Sequence, residues 1–261
     1  MPPRARTPYL DHDGPLAMAH RGFDTTGLEN SMRAFAAAVG LGASYLETDV
    51  HATADGRLVA FHDDALDRVT DATGRIADLA WSRVSRARIG GTEPVPLLED
   101  LLGAWPDVRI NIDVKAQQAV LPLVDVVERT GCHDRVCVTS FSDRRRRSAL
   151  RRLSRPVATS GGVTTTSRVW LAARAGAPTA VLRRLSAGVD CLQVPPRAGP
   201  VTVVTRRVVA ALHAAELHVH VWTVDEEHEM VGLLDLGVDG VITDRVDVAL
   251  QVLRTRAGGP P

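Results

Sequence analysis

"YLETDVHATADGRLVAFH", residues 45–62, decides how this chain is read, because its first half is apolar enough for a buried strand yet carries two carboxylates. Side chains alternate along a strand, so Glu47 and Asp49 point one way while Leu46, Thr48 and Val50 point the other. Two carboxylates about 4 Å apart repel by roughly 4 kcal/mol at an effective dielectric near 20. A cation, a shared proton or open water must relieve that repulsion. Beyond the strand, Asp55-Gly56 supplies the turn of a hairpin that returns the chain to His62.

Outward from this stretch, short β-branched runs alternate with amphipathic helical patterns. Strand segments are expected at 16–20, 44–50, 108–115, 135–141, 156–161, 189–195, 218–224 and 240–244. Helix starts are marked by Asn30, by Thr205 and by Asp225 with two glutamates behind it. Strict alternation of strand and helix implies a parallel sheet with helical crossovers. Eight such units in about 250 residues fit an α/β fold of the (β/α)8 TIM-barrel type. The barrel is expected over 15–255, with a polar, Gly/Pro-marked insertion after strand 2 at 63–96 that reads as a lid, and with loose tails at 1–14 and 256–261.

On that map the unusual polar residues fall at strand ends, where barrel enzymes place their chemistry. His20 and Arg21 end strand 1, Glu47 and Asp49 strand 2, Asp113 and Lys115 strand 3, Gln193 strand 6, Trp222 strand 7 and Asp244 strand 8. Lys115 is the one lysine in the chain, against 30 arginines among the 31 basic residues. A compact ammonium suits a tight anionic site that a planar guanidinium would crowd. Three carboxylates, Glu47, Asp49 and Asp113, suggest a hard divalent cation, Ca²⁺ or Mg²⁺. His20 and His62 are then free for proton transfer, and Arg21 and Lys115 for an anionic substrate oxygen. Together these groups describe phosphoryl chemistry.

Bulk properties agree with a soluble enzyme. The chain has 261 residues, 45% hydrophobic and 24% charged, with 31 basic against 31 acidic side chains. Global charge therefore favours neither nucleic acid nor stable membrane association. There is no signal-peptide h-region and no apolar run long enough to span a bilayer. Three cysteines without a CxxC pair point to a reducing, cytoplasmic setting. A homo-oligomer is compatible with the sequence, which does not specify one.

Each of these residues also has a plainer reading. A lone strand-end histidine is usually structural, and His213, His218 and His220 keep that reading; His20 and His62 stand out by their companions. Lys115 could be a salt bridge to Asp113 or Glu47, and Trp222 a core residue or a pocket wall. Glu29 and Asn30 read as a helix-entry device supporting His20, the basic run 143–155 as a solvated helix face, and Cys137 and Cys191 as core.

The motifs "AHRG" (19–22), "LENS" (28–31), "GASYLETDVHATADGRLVAFHDD" (42–64), "INIDVK" (110–115), "VWTVD" (221–225) and "GVDGVITDRVD" (237–247) resemble the glycerophosphodiester phosphodiesterase family in order and spacing. The resemblance implies a TIM barrel with an inserted subdomain at 63–96. It implies His20 and His62 as the acid/base pair, and Glu47, Asp49 and Asp113 as ligands of one divalent cation. It implies a small-molecule phosphodiester as substrate, hydrolysed to sn-glycerol 3-phosphate and an alcohol through a cyclic phosphate, with His20 as first-step base and His62 as acid. This chain departs from the family's usual pattern at Leu28, Ser31, Val246 and Asp113, the last standing where a Glu is usual. Two other readings remain: phospholipase D-like action on lysophospholipids, which an apolar, wide lid would favour, and a non-catalytic barrel that binds anionic phosphometabolites.

Overall fold

The computed structural model describes residue 3 and residues 5–258. Its barrel strands are β1 (Leu16–His20), β2 (Tyr45–Ala52), β3 (Arg109–Val114), β4 (Val136–Thr139), β5 (Ala158–Thr159), β6 (Cys191–Val194), β7 (His218–Val221) and β8 (Gly240–Thr243). Neighbours in chain order pair in parallel, and β8 returns to β1 with Leu16 beside Gly240. Between β5 and β6 the ring is joined by one parallel bridge, Ser160 to Cys191. All eight strands lie on the segments marked by the sequence pattern.

Alternation sorts the two faces of the barrel wall. Leu46, Val50, Ile110, Ile112, Val219 and Val241 face outward into the main core, packed against the surrounding helices. Their neighbours of opposite parity, including Glu47, Asp49, Asn111 and Asp113, face inward. The register of β2 on β3 sets Glu47 beside Asn111 and Asp49 beside Asp113. The carboxylates thus meet because parallel pairing aligns two inward-facing rows.

Helix entries differ from expectation in two places. Helix α1 (Met32–Gly40) is capped by Ser31, whose Oγ accepts from the Ala34 N–H at 3.1 Å, not by Asn30. Asn30 sits instead at φ +58° with its side chain turned into the barrel top. Asp225 does not cap the helix Glu227–Leu236; its carboxylate accepts from the Thr243 hydroxyl and the Asp244 N–H. Thr205 caps the helix Arg206–Ala214 as expected.

Part of the N-terminal stretch expected to be loose is packed. Pro8–Leu10 form a 3₁₀ turn that closes the barrel floor. There Tyr9 and Leu10 are buried with Met18, Tyr45 and Ile242, and the Tyr45 hydroxyl donates to the Tyr9 carbonyl at 2.6 Å. At the other end the last helix runs to Arg256; 259–261 lie outside the described residues.

The hairpin after β2 forms with Leu58–Ala60 antiparallel to residues 50–52. The insertion that follows has a polar surface but its own apolar core. Leu66 and Ile76, isolated apolar residues in the sequence, are buried with Val84, Ile89 and Val95. A satellite core of this kind holds the excursion as a fixed block beside the barrel mouth, rather than as a loose flap.

Gly22 fixes the turn that leaves β1. It has φ +90°, and a Cβ there would stand 2.7 Å from the backbone carbon of Ala34. Gly22→Ala is expected to cost roughly 2 kcal/mol or more through strain and overlap, read as a lower urea midpoint at unchanged m-value.

Candidate active site

The strand ends open into a cavity of about 660 Å³ lined by all eight expected site residues: His20, Arg21, Glu47, Asp49, His62, Asp113, Lys115 and Trp222. His20 Nδ1 lies 2.7 Å from Asp244 Oδ1, and His62 Nδ1 lies 2.6 Å from Asp63 Oδ1. An ionised carboxylate only accepts, so each ring donates from Nδ1 and leaves Nε2 for the substrate. Burial acts to lower the His20 pKa, but the Asp244 hydrogen bond overrides it and holds it above the ordinary value. Burial likewise opposes ionisation of Asp244, yet its bond to His20 keeps the carboxyl below its ordinary range.

The three carboxylates converge, and the structure gives them a resident counter-charge. Lys115 Nζ lies 2.7 Å from Asp49 Oδ1 and 2.8 Å from Asp113 Oδ2. Arg21 Nε adds a second cation 3.2 Å from Asp49 Oδ2, while its Nη1 donates to Glu29 at 3.0 Å. Asn30 Nδ2 donates to Asp49 Oδ2 at 3.3 Å. Burial raises the Asp49 pKa, but Lys115 and Arg21 outweigh it and leave the group lowered. Glu47 lacks such partners: burial and then the Asp49 charge push it up to about 8. Asp113 is also raised, by burial first and against the pull of Lys115.

This electrostatics bears on the expected cation. Among the described residues, no three His, Cys, Asp or Glu side chains already stand as a ligand set. The gap between Asp49 and Asp113 holds the Lys115 ammonium. The donors nevertheless fit a hard cation in kind, being carboxylate oxygens only. Asp113 Oδ1 is buried without a hydrogen-bond partner, and burial, then the Asp49 charge, raise the Glu47 carboxyl well above its ordinary range.

Some neighbours of these residues are not marked in the sequence. Asp63 holds His62, as Asp244, marked by its place at the end of strand 8, holds His20. Arg68, from the insertion, joins Asp63 to Glu29 with contacts of 2.6 to 3.1 Å. Asn111 accepts from Gln193 Nε2 at 2.9 Å across the barrel. Asp63 lies next to His62 in the chain, yet adjacency in sequence does not say which way a ring or carboxylate turns. Trp222 is a pocket wall, packed edge-to-face on Phe141 with centroids 5.7 Å apart. The far side of the cavity, built after β4 to β6 by Phe141, Val163, Trp170, Leu171 and Val201, is apolar.

Fold and site together describe a TIM barrel with a carboxylate-held histidine pair over a pocket of acidic and basic side chains. The model of the glycerophosphoryl diester phosphodiesterase family matches residues 20–248, and the chain belongs to that family. A Mycobacterium tuberculosis protein named "Probable glycerophosphodiester phosphodiesterase 2" is 48% identical over 249 residues, covering 95% of this chain and 94% of its own length. A glycerophosphodiester phosphodiesterase of Bacillus altitudinis is 30% identical, covering 90% of this chain and 96% of its own. Among solved structures, an Oleispira antarctica phosphodiesterase in complex with the product sn-glycerol-3-phosphate has the same fold. It superposes with a TM-score of 0.75 at 21% identity, covering 92% of this chain and 97% of its own.

A cation bound at Glu47 must displace its proton, and the sign of the pH dependence follows. Below about pH 8 the free site holds that proton, so Ca²⁺ or Mg²⁺ affinity should rise with pH and level off above it. Calorimetry in buffers of different ionisation enthalpy should show proton release on binding at pH 7, and Glu47→Gln should abolish that release.

Proposed function

We propose that the protein hydrolyses glycerophosphodiesters to sn-glycerol 3-phosphate and an alcohol. The observation that carries this reading is the pair of histidines, each tied at Nδ1 to its own carboxylate and each lining one cavity with the acidic cluster. Such rings can exchange protons with a substrate without changing orientation. Family membership and the names of the full-length relatives support the same activity.

In the proposed sequence His20 Nε2 takes the proton of the glycerol 2-hydroxyl, whose oxygen attacks phosphorus. His62 gives its Nε2 proton to the departing alkoxide as the P–O bond to the alcohol breaks. Water then opens the cyclic phosphate with the proton roles reversed, which returns both rings to their starting state. Asp244 stabilises the His20 imidazolium formed in the first step, the role expected of a carboxylate on the distal nitrogen. Arg21 and Lys115 are the groups that would meet the phosphoryl oxygens, since both line the cavity. Glu47, Asp49 and Asp113 would hold a divalent cation, which supplies Lewis-acid stabilisation of phosphoryl charge when bound.

A second reading rests on the apolar far wall, which the insertion does not supply but the loops after β4 to β6 do. A wall of that kind suits an acyl chain, and so phospholipase D-like hydrolysis of lysophospholipids. A chain-length series of lysophosphatidylcholines separates the two. Burial of each added methylene at about 0.8 kcal/mol predicts a rise of roughly fourfold in kcat/KM until the wall is filled, whereas a flat series would exclude acyl recognition.

Metal-stripped protein should release little sn-glycerol 3-phosphate from glycerophosphocholine, and added Ca²⁺ or Mg²⁺ should restore it. His20→Ala and His62→Ala should each lose about 10² to 10⁴ in rate. With a p-nitrophenol leaving group, which needs no protonation, His62→Ala alone should recover. Recovery of His20→Ala instead would reverse the order of roles, and no product with any metal would overturn the reading.

A further inference from the structure

The zero net charge of the chain conceals a strong local asymmetry. Residues 143–215 contain 14 arginines and two acidic residues, Asp143 and Asp190, although the whole chain has 31 basic and 31 acidic side chains. These residues build the barrel sector from the helix Asp143–Leu150, through the helix Val163–Arg174, to the helix Arg206–Ala214. The acidic catalytic cluster belongs to the opposite sector, on β1 to β3.

The mouth of the cationic sector is also apolar. Eight large hydrophobic side chains are exposed among the described residues, and four of them, Phe141, Val163, Leu171 and Val201, line the rim of the one catalytic cavity. Phe141 follows β4. Val163 and Leu171 lie eight residues apart on the helix Val163–Arg174, and so on one face of it. Val201 belongs to the small hairpin after β6, where it pairs with Ala198. Exposed arginines are interleaved with them: Arg144 beyond Phe141, Arg168 between Val163 and Leu171, and Arg197 beside Ala198. Among the described residues none of these three has a carboxylate within ion-pair distance, unlike Arg155 and Arg183 lower on the same sector.

We propose that this rim is a docking surface for an anionic lipid leaflet. A soluble glycerophosphodiester is polar throughout and gives no reason to keep four apolar side chains in water around the mouth. Clustered exposed apolar surface marks a contact site, and uncompensated arginines beside it select a negatively charged partner. A lipid leaflet meets both requirements, with its acidic headgroups at the level of the arginines and its acyl boundary at the level of the apolar side chains. Nucleic acid meets only the first, because base stacking needs exposed aromatic faces and Phe141 is the one aromatic among the exposed side chains of the rim. Docking in this way sets the cavity against a membrane. The expectation of no stable membrane association rested in part on net charge, which averages over two sectors of opposite character. Among the described residues no helix is long and apolar enough to cross a membrane; the docking proposed is peripheral.

Co-sedimentation of the full-length protein with sucrose-loaded vesicles tests this without reference to turnover, so it stands or falls separately from the proposed activity. Vesicles of phosphatidylcholine with about one third phosphatidylglycerol should bind about tenfold more tightly than pure phosphatidylcholine, and binding should weaken as salt rises from about 0.1 to 0.5 M. Leu171→Asp, and separately Arg144→Glu with Arg168→Glu, should each reduce binding about tenfold, with thermal melts confirming that these surface variants remain folded. Equal partition onto both vesicle types, or none, would overturn the proposal. So would undiminished binding by Leu171→Asp, or tighter binding to a DNA duplex or single-stranded RNA than to the anionic vesicles.

Discussion

Like-charge repulsion between Glu47, Asp49 and Asp113 is the constraint on which the mouth of this barrel depends. Strand alternation and parallel register force the three carboxylates into one buried space, and burial there is tolerable only if charge is removed or matched. The chain uses both routes. Lys115 and Arg21 hold the Asp49 carboxyl below its ordinary range, while burial and the Asp49 charge push Glu47 up to about 8. Much of the surrounding geometry serves these cations. Glu29 holds the far end of Arg21, Arg68 holds Glu29, and Asn30 leaves its expected capping role to bond Asp49.

The histidines are tied into the same arrangement from outside. Asp225 accepts from the Asp244 backbone, Asp244 holds His20, and His20 Nε2 lies 3.9 Å from Glu47. On the other side Arg68 meets Asp63, which holds His62. The insertion therefore contributes a charged strut to the site and the last barrel strand contributes another. Its own apolar core makes it rigid enough for that task. The apolar wall that the insertion lacks stands across the cavity, in the arginine-rich sector, so the mouth carries carboxylates and their paired cations on one side and arginines with apolar side chains on the other.

Much of this was legible in the sequence. Period-two alternation with helical intervals located all eight strands, since each barrel strand must present one apolar face to the helices whatever the loops do. The same parity placed Glu47 with Asp49, and Asp113 with Lys115, on shared faces, and strand-end position singled out His20, Arg21 and Trp222. Legibility was lower for the insertion. Its Leu66 and Ile76 occur in no periodic pattern, because a small irregular core is assembled from loops and not from faces.

What the sequence by itself determined is the barrel, its inward and outward rows, and which residue types stand at its mouth, because these follow from local alternation repeated eight times. Tertiary structure alone decided who pairs with whom. That Lys115 bridges Asp49 and Asp113, that Asp244 meets His20 across 224 positions of chain, and that Tyr9 closes the floor depend on distances set by barrel closure. So does the charge asymmetry of the mouth: composition sums over the chain, whereas a field or a docking surface depends on which side of a closed ring each charge occupies.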